Sequence, residues 1–131
     1  FCDIRQRRGV RGSKYFFVNS VRLQDRLIEL NIKYKHLKDL GPSKEIRGLQ
    51  IEKDKQNTVS KKSRNKLGKA FIKAYKELFL NPFDLNTFMD FLKKEGHKNI
   101  VFFCVEEKHL ACHRSIVSDK LKELGHSVQH L

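Results

Sequence analysis

Two kinds of apolar spacing alternate along this chain. Wholly apolar or alternating runs occur at Phe1 to Ile4, Ile32 to Leu37 and Ile100 to Cys104. They predict strands, and Ile100 to Phe103 has the unbroken apolar character of a strand buried on both faces. Between them, apolar residues recur at three and four. Leu23, Leu27, Ile28 and Leu30 follow a helix cap at Ser20. Leu67, Phe71, Ala74, Tyr75 and Leu78 predict a long helix from near Ser60 to near Leu80, before Asn81-Pro82. Asp84 caps a helix with Leu85, Phe88, Phe91 and Leu92 inward and Gly96 as its stop. Ile116, Val117, Leu121 and Leu124 face inward from a helix over 114–124, stopped by Gly125.

Three stretches lack these signatures. Gln6 to Ser13 is a basic loop, and Gly41-Pro42-Ser43 is a turn. Glu45 to Ser60 is polar and poorly periodic, so it reads as irregular or lightly helical. Ser127 to Leu131 reads as a last strand. Strands alternating with helices predict a parallel sheet with helices over its faces. At 131 residues the chain is one domain, 1–131, with ten Phe to fill a core. It opens on Phe1-Cys2-Asp3-Ile4-Arg5, which reads like the inside of a strand. The natural protein is expected to begin earlier, with a further strand and helix.

Charge changes the picture more than composition does. Lys and Arg number 28 against 15 Asp and Glu, a formal charge of +13. Such an excess attracts nucleic acid, acidic surfaces or phosphorylated ligands. Two clusters carry it. One is the loop with Arg7, Arg8 and Arg11, followed by Tyr15, Phe16 and Phe17. Arginines beside aromatics can grip a backbone and stack on bases; the same aromatics can equally fill a core. The other is Lys62, Lys66, Lys69, Lys73 and Lys76, which on one helix would form a stripe roughly 80° wide. That stripe suits phosphates without reading sequence, or is simply a solvated face. No helix-turn-helix, zinc-finger or RNA-recognition motif is evident. Three cysteines without disulfide-type spacing favour a reducing compartment, read as the cytoplasm. No apolar run approaches the roughly 20 residues that span a bilayer.

Chemistry concentrates after the apolar strand near residue 100. Cys104, Glu106, Cys112, His113 and Arg114 follow its carboxyl end, where ligands bind in open α/β sheets. Asp3 and Arg5 end the first strand and His36 lies near the end of the second, so these segments are expected to converge. Arg114 opens a helix and suits an anion; an ion pair with Glu106 or Asp3 is the alternative. Glu106 and His113 can move protons, or serve as ion-pair and loop-fixing groups. Cys112 near a helix start can be a nucleophile, and Cys104 reads as a core thiol. The two cysteines can also form a reversible disulfide, which gives a thiol redox reading. A Cys-x7-Cys spacing is not a usual zinc pattern, so neither metal nor cofactor is expected. A cysteine-phosphatase cradle is excluded, because Leu110 stands where its arginine would be.

Cys104-Val105-Glu106 and Ala111-Cys112-His113-Arg114-Ser115 resemble the motifs of the bacterial and archaeal family called domain of unknown function 488. So do Asp3-Ile4-Arg5, Asn31-Ile32-Lys33-Tyr34-Lys35-His36 with Leu40-Gly41, and the closing Gly125-His126-Ser127-Val128-Gln129-His130. Asn31 departs from the family's glycine. Gln6 to Ser13 departs from its Pro-x-Ser, so the ligand of that loop is expected to differ. The resemblance runs from end to end. It implies a Rossmann-like three-layer α/β sandwich and no particular reaction. The expectation is therefore a pocket lined by Asp3, Arg5, His36, Cys104, Glu106, Cys112, His113 and Arg114, acting on a nucleic acid or a phosphorylated small molecule. The alternatives are a sequence-independent nucleic-acid-binding module and a thiol redox protein.

Overall fold

A computed structural model of the chain describes residues 1–9 and 12–131, so Arg11 of the basic loop lies outside the described residues. Three short strands form a parallel sheet in the order β2-β1-β3: β1 is Cys2–Asp3, β2 Lys35–His36 and β3 Phe102–Phe103. Cys2 stands opposite Lys35 and Phe102, and Asp3 opposite His36 and Phe103. The ladder is lengthened by bonds from Ile4 N–H to Phe103 O (3.1 Å) and from Leu37 N–H to Asp3 O (2.9 Å). Cys2, Asp3, Ile4 and Arg5 are all buried. Successive strand residues point to opposite faces, so β1 is covered on both. The architecture is an α/β Rossmann-like sandwich, as the alternation of strands and helices predicts.

The helices are α1 (Ser20–Glu29), α2 (Lys44–Gln56), α3 (Lys69–Tyr75), α4 (Leu85–Lys94) and α5 (Arg114–Glu123). Ile4, Leu40, Phe71, Tyr75, Leu85, Met89, Leu92, Ile116, Val117 and Leu121 meet in one core. Tyr75 is fully buried, and its hydroxyl donates to Leu40 O at 2.7 Å. Glycines at positive φ, Gly96 (79°) and Gly125 (85°), follow α4 and α5 where the sequence places their stops.

Several expectations are corrected. The polar stretch after Ser43 is the 13-residue helix α2, capped by Ser43 Oγ accepting from Ile46 N–H. Its inward face is polar, through Gln50 and Asp54, which hides it from an apolar count. The long helix begins at Lys69, not near Ser60. Ser60 and Ser63 instead exchange side-chain and backbone hydrogen bonds, a local alternative to helix. After Tyr75 the backbone widens into a π turn, Lys76–Leu80. The extra residue per turn shifts the inward face, so Leu80 is buried and Leu78 is exposed. α1 opens with Asn19, not Ser20, in the capping position. Ile28, Leu30 and Phe91, expected inward, are exposed. Residues 127–131 form no strand.

One close approach shapes the region above the sheet. A Cβ on Gly41 would lie 2.7 Å from Gln6 N and 2.8 Å from Gln6 Cα. Gln6 pays for that fit: its buried Oε1 has no hydrogen-bond partner among the described residues.

Candidate functional site

The carboxyl ends of the three strands open into a cleft of about 540 Å³. Its walls come from the loop after β1 (Arg5, Gln6, Arg7, Gly9), from α2 and from the loop between β3 and α5. Two separate clusters of titratable side chains stand here.

The first is centred on Asp3. Arg5 Nε donates to Asp3 Oδ1 at 2.8 Å, and Arg5 Nη2 to Oδ2 at 2.7 Å. The Tyr34 hydroxyl also donates to Oδ2 (2.8 Å), and Arg5 Nη1 donates to Val18 O (2.9 Å). The Arg5 guanidinium lies over the Phe103 ring, 5.0 Å from its centre. Burial alone would raise the Asp3 carboxyl, but the bonds from Arg5 and Tyr34 outweigh it and hold it below the usual range. His36 Nε2 sits 2.8 Å from Arg5 O. Asp3, Arg5 and His36 are thus brought together in a network whose groups bond mainly to one another, but of the three only Arg5 lines the cleft, against the expectation that all three would.

The second cluster forms the cleft floor. Cys104 Sγ is 2.8 Å from Glu106 Oε2, and Cys112 Sγ is 3.4 Å from the same oxygen. His113 Nδ1 is 3.8 Å from Cys112 Sγ, while its Nε2 is 3.0 Å from Ile4 O. A carbonyl oxygen only accepts, so Nε2 carries a proton, and Nδ1 faces the Cys112 sulfur. Cys104 Sγ, Cys112 Sγ and a His113 nitrogen lie within 4.8 Å of one another.

The electrostatics of this cluster are divided. The Cys112 thiol is pulled down to about 6, chiefly because its sulfur accepts from Cys104, with His113 assisting against burial. Cys104 is pushed up, its proton held between the Cys112 sulfur and Glu106, with burial adding to the shift. Burial would raise Glu106, yet the Cys104 thiol and Lys61 bring it to about 2. Lys61 Nζ pairs with Glu106 Oε1 at 3.0 Å from a largely exposed position. His113 is raised: burial opposes its charge, and Cys112 more than compensates.

Arg114 is placed differently. It donates from Nη1 to Cys104 O and from Nη2 to Glu107 O, each at 3.0 Å. It therefore pins the β3–α5 loop from outside the cleft, pairing with neither Glu106 nor Asp3. Its backbone N–H donates to Cys112 Sγ at 3.5 Å.

Residues that sequence reasoning missed complete the walls. Arg64 donates to Ala111 O (3.2 and 3.1 Å) and Asp54 Oδ2 (3.0 Å). Gln50 bridges Asp54 and Gly68 N–H. Lys44 and Arg47 of α2 line the mouth with Arg7 and Lys61. The signal for Lys44 lay in its position just after the Gly41-Pro42-Ser43 turn, at a helix start. The basic surfaces do not form the expected single stripe. Lys62 and Lys66 precede the helix, and Lys69, Lys73 and Lys76 are exposed along α3 and its π turn. Arg8 reaches the Tyr34 hydroxyl at 3.5 Å. Among the described residues no helix is long and apolar enough to cross a membrane.

A family model described as domain of unknown function DUF488 matches residues 2–121. No curated protein and no solved structure matches the chain.

Proposed function

The chain belongs to the domain of unknown function DUF488 family, whose name carries no activity, and we propose from its own residues that the cleft binds and acts on a small phosphorylated ligand. The observation that carries this is the charge left at the mouth after internal pairing. Of the cations lining the cleft, Arg5 is paired with Asp3, Arg64 with Asp54 and Lys61 with Glu106. Arg7, Lys44 and Arg47 have no carboxylate within ion-pair distance among the described residues. Three cations outside any ion pair, on facing walls of one cleft, favour an anion. A volume near 540 Å³ suits a nucleotide-sized molecule.

In this reading Arg7, Lys44 and Arg47 hold the phosphate. Glu106, Cys112 and His113 are the reactive groups of the floor. Asp3, Arg5, His36 and Arg114 fix the loops that carry them. The exposed Lys69, Lys73 and Lys76 favour a second reading, a nucleic acid lying along α3.

Calorimetric titration separates the two. The ligands are inorganic phosphate, nucleoside mono-, di- and triphosphates, sugar phosphates, single-stranded and duplex DNA, and RNA. The small-ligand reading expects a nucleotide-sized phosphate to bind, and Lys44→Gln with Arg47→Gln to weaken it at least tenfold. Binding by polynucleotides alone, steeply salt-dependent and lost on Lys69→Gln with Lys73→Gln, would replace it with the second reading.

A further inference from the structure

We propose that Cys104, Cys112 and His113 form a three-ligand site for a zinc-like divalent ion at the floor of the cleft, with a fourth position open to a ligand oxygen. The donors are two sulfurs and one imidazole nitrogen within 4.8 Å of one another, all buried. Around tetrahedral zinc, bonds of about 2.3 Å to sulfur and about 2.0 Å to nitrogen place neighbouring donors about 3.5–3.8 Å apart. The Cys112 Sγ to His113 Nδ1 distance, 3.8 Å, is close to the sulfur–nitrogen value of about 3.5 Å. Small side-chain rotations would bring in Cys104.

Three surrounding features fit a metal better than a cluster of thiols alone. First, His113 is oriented as metal-binding histidines are, its Nε2–H held by Ile4 O and its Nδ1 facing the Cys112 sulfur. Second, the loop that carries the donors is tied by hydrogen bonds of its own. Arg114 clamps Cys104 O and Glu107 O, and Ser115 Oγ donates to Cys112 O at 2.9 Å. These bonds hold the donor-bearing backbone in place, which favours a defined coordination geometry. Third, the charges close. Two thiolates and the Glu106 carboxylate sum to −3, and Lys61 supplies +1. A divalent ion brings that set of charges to zero, with Lys61 contributing from its largely exposed position. Binding displaces to solvent the Cys104 proton and the one shared by Cys112 and His113, and no oxidant or reductant is involved.

In sequence, Cys-x7-Cys-His is not a usual zinc pattern. The short helical turn His109–Ala111 folds the loop back, so that donors eight and nine residues apart meet. Glu106, paired with Lys61 through Oε1, keeps Oε2 beside the two sulfurs, and Lys44 and Arg47 line the same cleft. The ion would bind whether or not an anion does.

The test uses the whole chain, stripped with chelator and titrated with Co(II) and then Zn(II). One equivalent of Co(II) should produce thiolate charge-transfer bands and the intense visible bands of tetrahedral coordination, both bleached by Zn(II). Cys104→Ser, Cys112→Ser and His113→Gln should each weaken binding at least about 100-fold, since loss of a mere supporting partner costs 10–100-fold. Lys44→Gln with Arg47→Gln should leave metal affinity unchanged, which separates this site from phosphate binding. Should a ligand variant fail to fold, mass spectrometry of the unaltered protein decides. Zn(II) should slow alkylation of Cys104 and Cys112 but not of Cys2. Absence of charge-transfer bands in folded protein, or equal protection of all three cysteines, would overturn the assignment.

Discussion

Asp3 with Arg5 and Cys104 with Glu106 lie at the ends of adjacent strands, yet their chemistry differs. Around Asp3, the carboxylate accepts from Arg5 and Tyr34, and the guanidinium spends its remaining reach on Val18 O. The donors and acceptors match, with nothing left to offer a ligand. Around Glu106, two thiols share one oxygen, one nitrogen faces sulfur, and the nearest cation is an exposed lysine. Motif residues of similar appearance thus divide into a half that holds the strand ends and a half that is chemically open. Saturation of hydrogen bonds separates them; residue type does not.

Arg5→Ala gives the largest expected effect. It strands the buried Asp3 carboxylate and should cost about 3–5 kcal/mol in chemical denaturation. A variant of normal stability that has lost only ligand binding would break the division and return Arg5 to the ligand site. Acid should act on the same bond. Asp3 titrates below its ordinary value because it is bonded in the folded state. Its contribution is complete above the unfolded pKa of about 3.9 and is lost as pH falls through the lower folded value. Stability should therefore fall as pH drops below about 4, and Asp3→Asn should flatten that slope. Tyr34→Phe, which removes one donor from the carboxylate, should cost about 1–2 kcal/mol and leave phosphate titrations unchanged. At the small end, Lys44→Gln should change stability by less than about 0.5 kcal/mol, since Lys44 is exposed. The same substitution should weaken phosphate binding severalfold. A larger stability loss with intact binding would place Lys44 among the structural residues.

The helices legible in sequence were those with apolar inward faces. α4 and α5 show it through Leu85, Leu92, Ile116 and Leu121, and both end near their glycines. α2 was hidden because Gln50 and Asp54 occupy inward positions that an apolar count scores as solvent. The stretch 60–68 misled in the opposite way. Its lysine spacing mimics a helix face, but its serines bond locally and Arg64 turns inward to Asp54 and Ala111 O. The grouping of Cys104, Glu106, Cys112 and His113 was legible, since all sit past one apolar strand, although that strand lies at the sheet edge with Phe102 and Phe103 half-buried and Val101 exposed, not buried on both faces as expected. Its cationic wall was not, because Lys44 and Arg47 come from the helix that went unread. Nor was the inward turn of Arg5 readable from spacing, since the same Asp-x-Arg could have pointed its guanidinium outward.

Gly41 carries a consequence for all of this. The segment bearing Arg7 rests on a residue with no side chain, with the Gln6 backbone where a methyl group would stand. A Gly41→Ala substitution would act as a wedge, lifting that segment by a few tenths of an ångström or more. The spacing between Arg7 and α2 could thus be tuned from beneath, with every group that touches the ligand left chemically intact.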